Sequence, residues 1–150
     1  MTADLIRLVD GDSSVGLRVL GRHRPGGSVY NDHLDAEIVV TSGIANGRLR
    51  LRLSPEDLDD WAEALGELAV GRGIRWPRRG NGIRVEVDRR VSTPVPVVTV
   101  TDEEVSASSV RLRLDVVDGW VEQLRRQYHR VREAWPNEVV VGPRPRSYWQ

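Results

Sequence analysis

Residues 48–61 read Arg48-Leu-Arg-Leu-Arg-Leu-Ser-Pro-Glu-Asp-Leu-Asp-Asp-Trp61, and two periodicities follow one another along them. As far as Leu53, leucine alternates with arginine, a period of two that is typical of a strand with one buried face. Beyond it, Ser54 suits a helix N-cap, Pro55 suits the first helical position, and Asp57 follows the cap by three residues. These residues therefore predict a strand that leads directly into a capped helix.

The helix that begins after Ser54 is predicted over about residues 55–70, because Gly71 and Gly73 end the pattern. Its apolar residues fall on one side at helical spacing, and its acidic residues fall on the opposite side with no base among them. This face suits docking to a basic partner protein, and it is also the pattern of an ordinary solvated face. The acidic residues are Glu56, Asp59, Asp60, Glu63 and Glu67.

Alternating apolar and polar residues predict further strands on both sides of this helix. Before the helix, the strands at residues 34–41 and 49–53 flank Asn46-Gly47, a pair that favours a hairpin turn. The other candidate strands are residues 5–9, 15–20, 83–87, 97–101, 110–114 and 139–141.

A second amphipathic helix is predicted over about residues 116–135, with Asp115 or Asp118 as its cap and Pro136 as its stop. Runs of strands followed by single helices indicate an α+β fold. We therefore expect a mostly antiparallel sheet of about six or seven strands with two amphipathic helices. One globular domain is expected over residues 1–142, followed by a C-terminal tail over residues 143–150.

The composition narrows the classes of function. The 150 residues carry 22 basic and 22 acidic side chains, every base is an arginine, and there is no cysteine. The missing thiols and lysines exclude disulfide scaffolds, thiolate metal sites and Schiff-base catalysis. The sequence shows no signal peptide, membrane span or catalytic motif, so we expect a cytoplasmic, non-enzymatic protein without cofactor or metal. Zero net charge argues against a general nucleic-acid binder.

Arginines line one side of two predicted strands. If these strands share one sheet with their leucines inward, the outer face carries a patch of guanidinium groups that can hold phosphate or carboxylate groups. The same arginines can instead pair across strands with Asp35, Glu37, Glu86 and Asp88, which the zero net charge favours. The arginines are Arg48, Arg50, Arg52, Arg111 and Arg113.

One small polar cluster has the residue types of an acid–base or metal site. A strand would place His33, Asp35 and Glu37 on the same face at a period of two. A metal site needs ligands that converge on one point, and side chains spaced along a single strand do not. We expect these carboxylates to pair with arginines and predict no metal site.

The aromatic residues on the helical stripes are expected in the core. The sequence places no such constraint on Trp76 or Trp149. The expected core aromatics are Trp61, Trp120, Tyr128 and Trp135.

Three segments carry a resemblance to a known family: Asp32-His-Leu-Asp-Ala-Glu-Ile-Val-Val40, Leu53-Ser-Pro-Glu-Asp-Leu-Asp-Asp-Trp61 and Val131-Arg-Glu-Ala-Trp-Pro136. With them the chain resembles a family of small uncharacterised proteins common in Streptomyces and other actinomycetes. Its layout is also similar to that of WapI-type immunity proteins, which neutralise polymorphic toxins. The first resemblance implies no activity, and the second implies a protein partner.

The leading hypothesis is a non-enzymatic protein-binding module, in its most specific form an immunity-type protein that neutralises a toxin partner. One alternative is a binder of an anionic ligand or nucleic acid through an arginine-rich sheet face. Another is an enzyme that uses His33, Asp35 and Glu37. The sequence favours a protein partner over nucleic acid, and it leaves the oligomeric state open.

Overall fold

The computed structural model describes residues 1–23, 32–78, 82–89 and 95–138. These residues form eight strands and two helices. In chain order they are β1 (Ala3–Asp10), β2 (Ser13–Arg22), β3 (Leu34–Thr41), β4 (Asn46–Leu53), α1 (Pro55–Ala69), β5 (Ile74–Trp76), β6 (Ile83–Asp88), β7 (Val97–Asp102), β8 (Ser108–Arg113) and α2 (Trp120–Ala134).

The strands form two antiparallel sheets, the first from β1 to β4 and the second from β5 to β8. Each sheet is a meander followed by one helix, so the same layout occurs twice. The α+β class and the two helices are confirmed, whereas the expected single sheet is wrong and the expected strand count is too low. The missed strand is β5, whose three residues are too few to show a period and stop at Pro77.

The two helices join the two sheets. α1 follows the first sheet but packs against β5 of the second, and α2 follows the second sheet but packs against β1 of the first. The helices also contact each other. One cluster of buried apolar side chains therefore runs through both sheets and both helices, with Leu17, Leu53, Leu68, Val98 and Leu124 among its members.

The start of α1 agrees with the prediction. Ser54 Oγ accepts a hydrogen bond from the Asp57 N–H at 3.1 Å, and Asp57 Oδ2 accepts one from the Ser54 N–H at 2.9 Å. The reciprocal bonds form a capping box, which satisfies backbone donors that the first helical turn leaves unpaired. The predicted cap at Ser54 and the proline at the first helical position are both confirmed.

Asp57 connects this cap to the pH dependence of stability. Burial raises the pKa of the Asp57 carboxyl, the nearby charges of Asp60 and Glu56 add to that effect, and the hydrogen bonds with Ser54 oppose it. Because folding raises this pKa, the folded state binds the proton more tightly than the unfolded state does. The resulting stabilisation is complete below the ordinary carboxyl pKa and is lost as the pH rises through the raised value.

As the pH rises from about 4 to neutrality, we expect the free energy of unfolding to fall less in the Asp57→Asn variant than in the wild type. Asparagine keeps an oxygen that accepts the Ser54 N–H but cannot ionise. Urea titrations at a series of pH values measure the difference. Glu133→Gln, which removes an exposed carboxyl of the other helix, is the matched control and is expected to follow the wild type. Equal losses in wild type and Asp57→Asn would contradict the assignment.

α2 begins at Trp120, later than predicted, and its N-cap is Gly119 rather than Asp115 or Asp118. The Asp115 N–H donates to Asp10 Oδ2 at 2.9 Å, which ties the segment before the helix to the end of β1. Gly119 has a φ of 83°, a left-handed conformation that glycine adopts without strain. The tie to Asp10 joins residues far apart in the sequence, so local cap residues did not indicate this start.

Trp76 is completely buried, although the sequence placed no constraint on it. Its ring centroid lies 5.0 Å from that of Trp61 with the planes tilted by 55°, and its Nε1–H donates to the backbone oxygen of Asp57 at 2.8 Å. The core position of Trp61 is confirmed. The other expected core aromatics are half-buried against the core: Trp120, Tyr128 and Trp135.

Two sequence-based expectations fall on residues outside the described part of the chain. They are the strand at 139–141 and the tail at 143–150, which includes Trp149. Within the described part, neither helix is long and apolar enough to cross a bilayer.

Candidate functional site

The arginines of β4 lie on the outer face of the first sheet, as predicted. Leu51 and Leu53 are buried on the inner face, so the alternating arginines face outward and are exposed. In the antiparallel register Arg52 pairs with Asp35 of β3, and Arg50 pairs with Glu37. The predicted cross-strand pairs of Asp35 and Glu37 with arginines of β4 are therefore present in the register.

The arginines of β8 lie on a different sheet, so the expected single patch is wrong. Arg111 pairs in register with Thr99, and Arg113 pairs with Val97, on the outer face of the second sheet. Glu86, an expected partner, forms its ion pair with Arg75 at 3.2 Å instead. Among the residues that the structure describes, Arg111 and Arg113 form no ion pair.

Two more arginines join the face of the first sheet. Arg7 of β1 and Arg18 of β2 are exposed, each between two buried apolar neighbours in its strand. Sequence reasoning missed them, although that alternation is a signal for an outward position. The face therefore carries arginines from three of its four strands.

A hollow lies at the centre of this face. One row of register pairs across the four strands consists of Arg7, Gly16, Val39 and Arg48. Because Gly16 has no side chain, the row leaves a cavity of about 290 Å³ between the two arginines. A Cβ on Gly16 would come no closer than 3.6 Å to another residue, the backbone oxygen of Ile6, so larger side chains fit the backbone there.

The next row places carboxylates among the arginines, in the order Asp4, Arg18, Glu37, Arg50. Asp4 lies 3.4 Å from Arg18 and 3.9 Å from Arg7, and Glu37 lies 3.7 Å from Arg48. The two pairs of Asp4 with exposed arginines contribute at most about 1 kcal/mol each, whereas the Glu37 side chain is only 11% exposed. Three arginines thus share two carboxylates, and Arg50 forms no ion pair within the described residues.

The outer face of the first sheet, here called the arginine face, has a net positive charge even with its carboxylates counted. It carries five arginines against three carboxylates. The arginines are Arg7, Arg18, Arg48, Arg50 and Arg52, and the carboxylates are Asp4, Asp35 and Glu37.

The acidic side of α1 has basic partners from elsewhere in the chain. Arg132 of α2 pairs with Asp59, and Arg72 pairs with Glu67 at 3.1 Å. Arg78 lies 2.6 Å from Glu63 and 3.9 Å from Asp60. The sequence showed no base within this stripe, and the structure supplies the bases from outside it. Of the five carboxylates, only Glu56 forms no ion pair within the described residues, and the use of this side for docking stays a prediction.

The polar cluster around β3 is divided among separate partners. Asp35 Oδ1 lies 2.7 Å from His23 Nδ1, while Glu37 turns to Arg48. Burial lowers the pKa of His33, and the positive charge of Arg52 lowers it further, so this imidazole is neutral at neutral pH. No three acidic or histidine side chains in the described residues are grouped closely enough to hold a metal ion.

The comparisons with known proteins concern the whole fold. A structure described as that of the plant transcriptional regulator PBF-2 aligns with 93% of this chain and 91% of its own, at 8% sequence identity and a TM-score of 0.48. No curated protein matches the chain. The model of a family described as a family of unknown function, DUF5959, matches residues 3–136. This match spans every strand and helix described above, and the chain therefore belongs to the DUF5959 family.

Proposed function

We propose that this protein is a non-enzymatic binding module that holds an anionic partner on its arginine face. The observation that carries the proposal is the hollow over Gly16, with Arg7 on one side and Arg48 on the other. Guanidinium groups donate paired hydrogen bonds in a geometry that matches carboxylates and phosphates. Arg18 and the carboxylates Asp4 and Glu37 also line the hollow, so an entering anion would meet three arginines and two carboxylates.

The ion pairs of Asp4 offer little resistance to an incoming anion. Arg7 and Arg18 are each more than half exposed, and Asp4 lies 3.9 Å and 3.4 Å from them. Such pairs are weak because water screens them. A ligand that brings its own carboxylate or phosphate groups can therefore replace Asp4 at small cost, whereas drawing Arg48 away from the mostly buried Glu37 costs more.

The acidic side of α1 is a less favourable surface for an oppositely charged partner. Four of its five carboxylates already face arginines of this chain. A basic partner would first have to displace those contacts.

The more specific predictions, namely an immunity-type role, an actinomycete family and a cytoplasmic location, remain parts of this proposal.

We expect the protein to bind fluorescein-labelled poly-glutamate with an affinity that falls as salt is raised, because salt screens exposed charges. Replacing Arg7, Arg18 and Arg48 together with glutamine should weaken binding about tenfold, the change that a loss of about 1.4 kcal/mol produces. The matched control replaces Arg125, Arg126 and Arg130 of α2, which removes the same charge from an exposed helix face. Fluorescence anisotropy measures both, and equal losses in the two variants would overturn the site.

Filling the hollow separates the role of shape from that of charge. Gly16→Val keeps every arginine, and valine suits a strand backbone. Its side chain would occupy the space between Arg7 and Arg48. We expect weaker poly-glutamate binding with an unchanged unfolding midpoint, and undiminished binding would place the anion elsewhere on the face.

A further inference from the structure

Each sheet has one edge strand that a helix contacts and one that pairs with no further strand among the described residues. α2 packs against β1, and α1 packs against β5. At the opposite edges, β4 pairs with β3 and β8 pairs with β7, and neither pairs with a further strand among the described residues. An open edge presents unpaired backbone groups to which another strand can bond.

The register shows which residues of β4 carry those open groups. The Ser42 N–H donates to the Ala45 oxygen at 2.9 Å, so these two residues form a bonded pair beside the hairpin turn. Bonded and non-bonded pairs alternate along antiparallel strands. Leu49 and Leu51 therefore bond to β3. The backbone groups of the alternating Arg48 and Arg50 point away from it.

Two further cavities border this open edge, and Arg48 and Leu49 line both of them. The first, of about 180 Å³, lies between the inner faces of the two sheets among Ile38, Val40, Val100 and Val110. The second, of about 340 Å³, lies between Arg48 to Arg50 and a far wall that includes Ile83 and Val105. Arg48 also lines the hollow on the arginine face, so three adjoining cavities meet at this residue.

We propose that β4 accepts an added strand from a partner protein, and that this strand alternates acidic with aliphatic residues. The proposal rests on the proposed function and names its partner. Acidic side chains opposite Arg48 and Arg50 would extend the charge pairing that β3 supplies from its side. The backbone of the added strand would satisfy the open backbone groups of the same two residues.

The aliphatic residues of the added strand would point to the inner side, toward the cavity between the sheets. Leu49, which is half-buried, and Val110 line that cavity together with fully buried aliphatic residues. A dry cavity of about 150 Å³ is large enough to take benzene, so the cavity beside β4 can hold one aliphatic side chain. Charge on the outer side and apolar contact on the inner side thus select an alternating sequence.

The far wall adds one restriction to the partner sequence. The carboxylate of Asp102 already accepts bonds from Val105 and Ser106. Glu104 is the other carboxylate of this wall. We therefore expect no acidic residue of the partner strand directly beside Glu104.

A second copy of this chain does not fit the edge, because pairing β4 with another β4 brings arginines of both strands together on one face. Pairing β4 with β8 has the same effect, since Arg111 and Arg113 also face outward. Like charges in neighbouring strands are destabilising.

Single-stranded nucleic acid lacks its usual stacking contacts here. No described residue of β4, β8 or the three cavities is aromatic, and aromatic side chains are the usual platforms for base stacking.

The test uses the full chain and a fluorescein-labelled peptide of alternating glutamate and valine. In an added antiparallel strand, the glutamates opposite the arginines donate their N–H groups to β4, and the valine N–H groups point away. Methylation of the glutamate nitrogens should weaken binding about tenfold through lost backbone bonds, and methylation of the valine nitrogens should change it little. Equal binding by both methylated peptides would overturn strand addition.

Protein variants locate the edge. Replacing Arg48 and Arg50 with glutamine should weaken the unmethylated peptide about tenfold, whereas Arg111→Gln with Arg113→Gln should leave it unchanged. A loss confined to the second pair would place the strand on β8 and overturn the proposal. If the protein binds poly-glutamate but methylation of the alternating peptide has no effect, the anion-binding function stands and strand addition is excluded. If the protein binds neither probe, both proposals are excluded. A single-stranded oligonucleotide that displaces the peptide at moderate salt would also count against a peptide site.

Discussion

Replacing Trp76 with alanine is expected to lower the free energy of unfolding by about 3–5 kcal/mol. The side chain is completely buried, and its ring packs against Trp61 at a centroid distance of 5.0 Å. Alanine would leave a cavity between α1 and β5 and would also leave the backbone oxygen of Asp57 without the indole donor at 2.8 Å. Both losses act on the contact by which α1 holds the second sheet.

Urea unfolding followed by far-ultraviolet circular dichroism measures this loss. Trp76→Phe is the matched variant, because it keeps most of the apolar volume and removes the hydrogen bond to Asp57. We expect it to lie between the wild type and the alanine variant. Trp120→Ala, at a half-buried residue, should cost less than Trp76→Ala. If Trp76→Ala changed the stability by less than about 1 kcal/mol, the assigned core position of Trp76 would be wrong.

Replacing Arg22 with alanine is expected to cost about 3 kcal/mol, because it removes one partner of a mostly buried ion pair. Arg22 lies 3.5 Å from Asp32, and their side chains are only 13% and 6% exposed. Arg22 also donates to the Pro136 oxygen at 2.7 Å and lies 3.2 Å from Glu138. The Glu138 N–H in turn donates to Asp32 at 2.6 Å. This group ties the chain beyond α2 to the end of β2.

The matched control is Arg18→Ala, in the same strand. Arg18 forms an exposed pair with Asp4 at 3.4 Å, so its loss should cost at most about 1 kcal/mol. In the Asp32→Ala background, Arg22→Ala should cost less than in the wild type, because no buried carboxylate is then left without its partner. Equal costs in the two backgrounds would show that Arg22 acts through the segment after α2 alone.

Local sequence was sufficient for the parts of the fold that depend on near neighbours. The capping box joins Ser54 to Asp57, three residues away, and the strand that leads into it alternates at a period of two. Such patterns describe backbone conformation within one element, so α1, the strand before it and their outward side chains were predicted correctly. The start of α2 was not, because its N-cap is Gly119, which has no side chain to form a capping hydrogen bond.

The candidate site was predicted in part. The outward direction of Arg48, Arg50 and Arg52 followed from their alternation with leucine. Their neighbours on the face, Arg7 and Arg18, come from strands about 30 to 45 residues earlier in the chain. A separation of 73 residues hid the partner of Asp59 on the acidic helix. Arg132, which pairs with Asp59, lies in the other helix.

The sequence by itself determined the α+β class, the position and cap of the first helix, and the outward direction of the arginines in β4 and β8, because periodicity and capping act over a few residues. The tertiary structure decided that the arginine rows lie on two sheets, that Trp76 joins the core, and that the open edge at β4 borders three cavities. Those features arise from contacts between distant segments, and only the packing of helices and sheets around one core brings such segments together.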